Sequence, residues 1–192
     1  MGSHAFFSVL SRMKYINRWG LMRSTRNETL SEHCADVAVI AHALAVISNE
    51  RFGGMLNADH IAVLALYHDC SEILTGDLPT PVKYYNDDIT KAYKQVERGA
   101  KSRLLDMLPD DLAPRYEPLV MSRGTDEERA IIKAADKISA LIKCLEERSM
   151  GNTEFAVAER SLRQAVEGMD MPEVRCFMEE FMPSFMLTLD EV

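Results

Sequence analysis

The sequence contains no run of about 18 uninterrupted apolar residues, the length that a membrane-spanning helix needs. Its N-terminus has no basic stretch followed by an apolar one, so we expect no secretory signal. Four cysteines occur among the 192 residues without a C-x-x-C pair, and this wide spacing favours reduced thiols over a disulfide framework. Together these absences predict a cytoplasmic protein with no membrane partner.

Basic charge is also scarce. The formal net charge is −8, whereas a general nucleic-acid binder usually carries an excess of Lys and Arg, because phosphate neutralisation dominates its affinity. We therefore expect no nucleic-acid polymer as a partner. A small anionic substrate is not excluded, because one or two local cations can hold a single phosphate.

Alternating strand patterns, internal repeats and domain linkers are absent too, and what remains is helical almost throughout. The sequence predicts an all-α protein, a single compact multi-helix domain over residues 5–192. Residues 1–4, Met-Gly-Ser-His, resemble a tag remnant and are set aside. Helical periodicity, with caps at Ser31, Asn57 and Thr125, predicts helices over about 6–16, 32–51, 58–74, 88–107, 126–148, 154–167 and 174–182.

One ionisable pair stands out within an apolar helical run. His68 and Asp69 follow Ile61-Ala-Val-Leu-Ala-Leu-Tyr67. Burying such a pair is costly unless it has a partner, and a metal ion would be a sufficient one. Taken alone the dipeptide carries little weight, because His-Asp is common by chance.

Further metal ligands are available on the neighbouring helices. His33 lies near the start of the preceding long helix, and Asp136 lies in another apolar helix, although beside Lys137 it could be an ordinary surface pair. Two imidazoles and two carboxylates suit a borderline to hard divalent ion with open positions for water and phosphate oxygen. His42 and His60 are interpreted as structural.

The two cysteines that adjoin the proposed ligands offer an alternative. Cys34 follows His33 and Cys70 follows Asp69, so their sulfur atoms could suggest zinc. Each would have to point away from its neighbour, and we therefore disfavour cysteine ligation.

Two carboxylates follow the His-Asp pair. Glu72 is four residues after His68 and three after Asp69, on the same helix face, from which it could orient a metal-bound water or carry a proton. Asp77 follows Gly76, where the predicted helix ends, and the helix end could direct its side chain at the same pocket. The alternatives are an exposed helix carboxylate for Glu72 and an ordinary turn residue for Asp77.

A third segment near the N-terminus could contact a substrate. Arg18 could hold a phosphate through paired hydrogen bonds. Trp19, the only tryptophan, could form a wall for a sugar or base. Taken alone, such a segment is more often a loop with a buried anchor.

The ordered set His33, His68, Asp69 and Asp136 on an all-α scaffold resembles the HD-domain phosphohydrolase superfamily. A closer resemblance is to the bacterial 5′-deoxynucleotidases of the YfbR type. It is carried by residues 16–19, 31–33, 67–69 and 72–83, and by two later stretches, 152–155 and 181–185. The likeness therefore covers nearly the whole chain.

The resemblance implies a homodimeric hydrolase that removes the 5′-phosphate from deoxyribonucleoside monophosphates. It implies one divalent ion, commonly cobalt in assays, with manganese, zinc or others open. The implied metal ligands are His33, His68, Asp69 and Asp136.

The same resemblance implies the roles of four further residues. Glu72 would be the catalytic carboxylate, with its role as base, acid or water orienter left open. Arg18 would contact the phosphate, Trp19 would crowd out a ribose 2′-hydroxyl, and Asp77 would lie near the sugar. One departure is Gly20, where the family pattern leads us to expect proline.

Two other functions remain open at this point. One is an HD hydrolase acting on a nucleoside triphosphate, an alarmone or a cyclic nucleotide, but such proteins usually bring extra segments. The other is a non-catalytic helical module that retains a structural metal, and the presence of Glu72 beside a complete ligand set disfavours it.

Overall fold

The computed structural model describes residues 4–83 and 85–191, and within these ranges the protein is helical with no strand. One isolated antiparallel bridge joins Asn17 to Thr29. The all-α prediction is confirmed. The α-helices are α1 Phe6–Leu10, α2 Leu30–Phe52, α3 Ala58–Tyr67, α4 Glu72–Thr75, α5 Thr80–Lys83, α6 Asp87–Leu105, α7 Ala113–Val120, α8 Asp126–Ser149, α9 Ala156–Glu167 and α10 Pro172–Glu180. Short 3₁₀ helices cover Ser11–Tyr15, Thr153–Phe155, Met182–Met186 and Leu189–Glu191.

Two of the predicted helix starts are confirmed by cap hydrogen bonds. The Thr125 side chain accepts from the Glu128 backbone N–H, and the Glu128 carboxylate accepts from the Thr125 N–H at 2.7 Å. Asn57 caps α3 by accepting a hydrogen bond from the His60 N–H at 3.0 Å. Such caps satisfy N–H groups that the first helical turn leaves without partners, and the residues involved are close in sequence.

The cap predicted at Ser31 is wrong, because α2 already begins at Leu30. Thr29 takes the cap position instead. Its hydroxyl accepts from the Glu32 N–H at 3.2 Å, and the Glu32 carboxylate accepts from the Thr29 N–H at 2.8 Å. The bridge between Asn17 and Thr29 holds the preceding chain extended, so that the helix starts directly after it.

The helix predicted over residues 58–74 is interrupted, and this prediction is also wrong. Helix α3 ends at Tyr67, and the next residues form a turn before α4 begins at Glu72. Within the turn, the Cys70 N–H bonds to the Tyr67 carbonyl and the Glu72 N–H to the Asp69 carbonyl, at 3.1 and 2.9 Å. These three-residue hydrogen bonds tighten the chain, so His68 and Asp69 do not follow an ideal helix.

The chain forms two compact units. The first comprises the described parts of Met1–Leu21, Asn27–Cys34 and Leu66–Arg123, and the second comprises Met22–Arg26, Ala35–Ala65 and the described part of Gly124–Val192. Residues 1–3 of the predicted tag remnant lie outside the described residues. The single domain over residues 5–192 stays a prediction.

The first unit has two small apolar clusters. One cluster is built on Phe6, Cys70 and Leu104, and it includes the Phe6 ring in contact with the Tyr116 ring at 5.4 Å between centroids. The other cluster packs Met13 and Leu30 with Cys34.

The second unit has the larger core. Its members are buried side chains from the second part of α2, from α3, α8, α9 and α10, among them Val37, Leu44, Ile61, Ile138 and Phe177. All four cysteines of the protein are free and buried, which agrees with the prediction of reduced thiols.

Helix α2 is long and apolar enough to cross a membrane by length and composition alone. Helix α2 contains no uninterrupted apolar run of that length, because polar residues are scattered along it. More than half of its most apolar stretch is buried inside the protein. The core helix of a soluble protein passes the same test, so this helix is a weak indication of a membrane span.

A buried carboxylate holds the loop tip Met22–Arg26 within the second unit. Glu147 on α8 is 1% exposed. It accepts hydrogen bonds from the Thr25 N–H and hydroxyl, both at 2.8 Å, from the Asn152 amide at 2.8 Å and from the Lys143 ammonium at 2.6 Å. Lys143 also donates to the Arg26 carbonyl at 2.6 Å. Burial alone would raise the pKa of Glu147, but these hydrogen bonds outweigh it and lower that pKa below its usual range.

Glu147→Gln should therefore destabilise the protein by about 2 kcal/mol near neutral pH, because a buried acceptor of charged hydrogen bonds becomes a neutral amide. The native carboxylate contributes fully above the usual glutamate pKa, and its contribution is lost as the pH falls through the lowered native pKa. The difference between wild type and variant, measured by urea unfolding, should shrink with acidification. Glu154→Gln, which removes a half-buried partner of the exposed Arg23, is the control and should change stability little. A difference independent of pH would contradict the assignment.

Candidate active site

Two histidines and an aspartate of the first unit converge on one point. The Asp69 Oδ2 atom lies 3.1 Å from His68 Nε2 and 3.9 Å from His33 Nε2. The two imidazole rings are 5.4 Å apart between centroids. His33 is completely buried. Two imidazole nitrogens and a carboxylate oxygen thus face a common centre.

Local structure explains how these side chains meet. His33 lies in the first turn of α2, just after the Thr29 cap, and His68 and Asp69 lie in the tight turn after α3. In a regular helix, adjacent side chains point about 100° apart, whereas the turn brings this pair to one side. The other ring nitrogen of His68, Nδ1, contacts the buried Cys34 Sγ at 3.8 Å. Cys34 therefore packs behind the ring, on the side away from Asp69.

The charges of the His-Asp pair favour an anionic carboxylate. Burial alone would raise the pKa of Asp69, but the neighbouring His68, His33 and Arg18 outweigh it and lower that pKa below its usual range. Burial alone would lower the pKa of His68, but Asp69 outweighs it and holds that pKa well above its usual value. An anionic oxygen beside two imidazole nitrogens fits a divalent cation. A ring nitrogen of His33 and one of His68 lie within 4.8 Å of each other, close enough for both to bind one metal ion.

Asp136, the fourth predicted ligand, belongs to the second unit. It lies on α8 and is half-buried between buried neighbours, Ala135 and Ile138. An ordinary surface pair with Lys137 would leave the carboxylate exposed, so its burial favours a functional role. Its ligand role stays a prediction.

Glu72 is a buried carboxylate at the first position of α4. It is 5% exposed, and its Oε2 atom accepts no hydrogen bond from the described residues. Burial raises the pKa of Glu72 to about 8, and the negative charges of Asp69 and Asp77 add to the effect. The exposed-carboxylate alternative for Glu72 is therefore wrong. A carboxyl group with a pKa near neutrality can give or accept a proton.

Lys83 is a neighbour of Glu72 to which the sequence analysis gave no role. Its ammonium lies 4.0 Å from Glu72 Oε1, 2.9 Å from Glu97 Oε1 and 4.9 Å from the centre of the Tyr93 ring. Burial alone would lower the pKa of Lys83, but Glu97 and Glu72 raise it above its usual value. The cation offsets part of the negative charge around Glu72. Its position at the end of the conspicuous segment 72–83 was the available signal.

Arg18 and Trp19 also belong to the first unit, and a third residue links them. Glu28 Oε2 accepts hydrogen bonds from Trp19 Nε1 at 2.7 Å and from Arg18 Nε at 3.2 Å. Arg18 Nη1 lies 3.9 Å from Asp69 Oδ2, so the guanidinium reaches the proposed metal site. Trp19 has a φ of 59°, in the left-handed region that side chains rarely adopt. The sequence analysis missed Glu28.

The remaining candidates are placed as follows. Asp77 is half-buried after Gly76, which has a φ of 74°, and its charge acts on Glu72. In the second unit, His42 Nε2 lies 3.5 Å from the exposed Asp59, and His60 Nε2 lies 3.9 Å from Glu128. The structural role of His42 and His60 stays a prediction.

Comparison with known proteins identifies relatives over nearly the whole chain. A family model described as 5′-deoxynucleotidase YfbR-like matches residues 5–185. The chain is 54% identical to the 5′-deoxynucleotidase VV1113 of Vibrio vulnificus, over 97% of each chain. It is 53% identical to the 5′-deoxynucleotidase YfbR of Salmonella paratyphi B, over 97% of this chain and 94% of the relative.

A solved structure supports the same grouping. An HD-domain phosphohydrolase from Listeria innocua superimposes with a TM-score of 0.84 at 25% identity, over 98% of this chain and 92% of the other. The fold, with His68 and Asp69 in the turn after α3, together with this relative therefore defines an HD-domain phosphohydrolase. Within that class, the chain belongs to the YfbR-like 5′-deoxynucleotidase family.

Proposed function

We propose that this protein hydrolyses deoxyribonucleoside 5′-monophosphates to deoxyribonucleosides and phosphate, with the help of one divalent metal ion. Relatives named 5′-deoxynucleotidases are more than half identical over nearly the whole chain. The observation that carries the proposal is the approach of His33 Nε2, His68 Nε2 and Arg18 Nη1 to the single oxygen Asp69 Oδ2. The metal ion and the Arg18 guanidinium could therefore bind the same phosphate group.

The proposed ligands of the ion are His33, His68, Asp69 and Asp136. When bound, such an ion polarises a phosphate oxygen and lowers the pKa of a water molecule. Cobalt, manganese and zinc all accept this mixed nitrogen and oxygen donor set. We propose cobalt as an effective ion in vitro.

Arg18 and Glu72 would perform the remaining chemistry of phosphate hydrolysis. The Arg18 guanidinium offsets negative charge that builds up on the phosphate oxygens. The Glu72 carboxyl group holds or moves a proton, either at the attacking water or at the leaving 5′-oxygen. Its burial and its raised pKa support either assignment.

Selection for deoxyribose would be steric. Trp19 is half-buried and its indole N–H is held by Glu28, so its ring is a fixed wall rather than a mobile one. A wall against the sugar leaves neither room nor a hydrogen-bond partner for a 2′-hydroxyl. Asp77 would lie near the sugar.

Trp19→Ala should raise the ribonucleotide-to-deoxyribonucleotide ratio of kcat/KM by about 10-fold or more, because removing a steric block of this size is worth roughly 1–3 kcal/mol. The measurement is phosphate release from paired substrates such as AMP and dAMP. Tyr15→Ala, an exposed aromatic residue in the preceding segment, is a matched control and should leave the ratio unchanged. An unchanged ratio in Trp19→Ala would reject the steric account.

The experiment that tests the function directly is phosphate release from all deoxyribo- and ribonucleoside 5′-monophosphates, with each candidate ion in turn. Activity on the deoxyribonucleotides alone is the expected pattern. We further propose a cytoplasmic location and a homodimer, without a nucleic-acid polymer or membrane partner. Sedimentation equilibrium of the purified protein tests the dimer.

A further inference from the structure

Glu28 touches more candidate site residues than its place in the sequence suggests. It lies in the first unit two residues before α2, and it is 9% exposed. One carboxylate oxygen, Oε2, accepts from Trp19 Nε1 at 2.7 Å and from Arg18 Nε at 3.2 Å. The other, Oε1, lies 3.8 Å from Nδ1 of His33. A single carboxylate therefore faces the candidate sugar wall, the candidate phosphate contact and a candidate metal ligand.

The backbone around Glu28 fixes this carboxylate in place. The Arg18 N–H bonds to the Glu28 carbonyl at 2.9 Å, and the Leu30 N–H bonds to the Ile16 carbonyl at 2.8 Å. These bonds flank the bridge between Asn17 and Thr29. Arg18 and Glu28, ten positions apart in the sequence, are thereby held side by side. Their side chains can therefore pair at a small cost in conformational entropy.

The hydrogen bonds of Glu28 also orient the groups that it holds. Because Arg18 uses Nε toward Glu28, its terminal nitrogen Nη1 is directed toward Asp69, at 3.9 Å. The 2.7 Å bond to the indole fixes Trp19, whose φ of 59° is a backbone conformation that persists only where the surrounding structure enforces it. At 3.8 Å the contact with His33 is too long for a hydrogen bond, but the negative charge faces the ring nitrogen opposite Asp69.

We propose that Glu28 is a positioning residue that couples sugar selection to phosphate binding in this protein. It holds the Trp19 ring and the Arg18 guanidinium in one fixed arrangement, so that loss of its charge loosens both together. This inference rests on the proposed function for the roles of Arg18 and Trp19. The contacts of Glu28 themselves do not depend on those roles.

The test uses Glu28→Gln, which keeps the size of the side chain and removes its charge. Because Trp19 is the only tryptophan, fluorescence excited at wavelengths that tyrosine does not absorb reports on the surroundings of this side chain. We expect a changed emission spectrum and easier quenching by acrylamide. We also expect kcat/KM for deoxyribonucleotides to fall about tenfold or more, because the charged hydrogen bonds that hold Arg18 and Trp19 are weakened. The preference over ribonucleotides should weaken as well. Glu28→Asp, which keeps the charge, should recover part of each loss.

The matched control is Glu154→Gln. Glu154 also pairs with an arginine of the same loop, Arg23, at 2.6 Å, but it touches no candidate site residue. This variant should leave emission, kcat/KM and sugar preference unchanged. Equal effects of Glu154→Gln and Glu28→Gln would overturn the proposal, because they would show general tethering of the loop. Unchanged kcat/KM and sugar preference in Glu28→Gln would also overturn it, whatever the emission does.

Failure of the proposed function has a different signature. A wild-type protein that releases no phosphate from any deoxyribonucleotide would refute the function. In that case, titration with inorganic phosphate, followed by Trp19 emission, tests Glu28 without turnover. Weaker phosphate binding in Glu28→Gln than in wild type would support the positioning role, and equal or absent binding in both would overturn it.

Discussion

Glu72→Gln should lower kcat by about 10²- to 10⁴-fold, the usual contribution of a general acid or base, and leave KM and metal content close to wild type. Glutamine keeps the volume of the side chain and can still accept a hydrogen bond, but it cannot hold or release a proton at neutral pH. Glu72 is not one of the proposed metal ligands, and its Oε2 atom accepts no hydrogen bond from the described residues. Its loss should therefore affect the proton transfer and spare binding.

The surroundings of Glu72 support this expectation. The pKa of Glu72 is raised to about 8 because burial and the charges of Asp69 and Asp77 oppose its ionisation. Lys83, at 4.0 Å, partly offsets this effect. A bound divalent cation would add a further positive charge and lower that pKa again. A change of charge near Glu72 can therefore change its protonation state.

The control for Glu72→Gln is Asp88→Asn, an exposed carboxylate in the first turn of α6. It should retain wild-type kcat. Steady-state kinetics on one deoxyribonucleotide, with metal content measured by elemental analysis, separates the two variants. Full turnover by Glu72→Gln would remove Glu72 from the chemistry. A loss of metal along with turnover would instead show that Glu72 supports the ion.

Helix positions could be predicted where their causes are local. The Thr125 and Asn57 caps depend on residues three apart, so the sequence alone identifies them. The end of α3 at Tyr67 could not be predicted in this way, because the apolar pattern of α3 continues up to His68 and gives no signal that the helix stops. The turn that interrupts it brings His68 and Asp69 to one centre, and a contact of that kind depends on the surrounding structure.

The candidate site shows the same division. His68, Asp69 and Glu72 stand out in the sequence because ionisable residues in an apolar stretch are conspicuous. The structure buries Glu72 and brings His68 against Asp69. Glu28 does not stand out, because it acts across a bridge that joins Asn17 to Thr29, and its partners Trp19 and Arg18 lie nine and ten residues away along the chain. One weak signal was available: Glu28 is the only acidic residue between Trp19 and Ser31.

Removal of bound metal with a chelator should reduce phosphate release to background, a loss on the order of 10³-fold or more, since the ion is worth several kcal/mol to such a reaction. Readdition of cobalt, manganese or zinc should restore activity to different extents. His68→Gln should lose both metal and activity, because its Nε2 atom is the imidazole nitrogen nearest to Asp69, at 3.1 Å.

The matched control is His42→Gln, since this histidine pairs with the exposed Asp59 rather than with the His-Asp centre. It should bind metal and turn over substrate as wild type does. Isothermal titration with cobalt reports the binding, and phosphate release reports the chemistry. If His68→Gln bound the ion as tightly as wild type, His68 would not be a ligand. If the chelated protein stayed fully active, the reaction would need no removable ion, and the convergence of His33 and His68 on Asp69 would need another explanation.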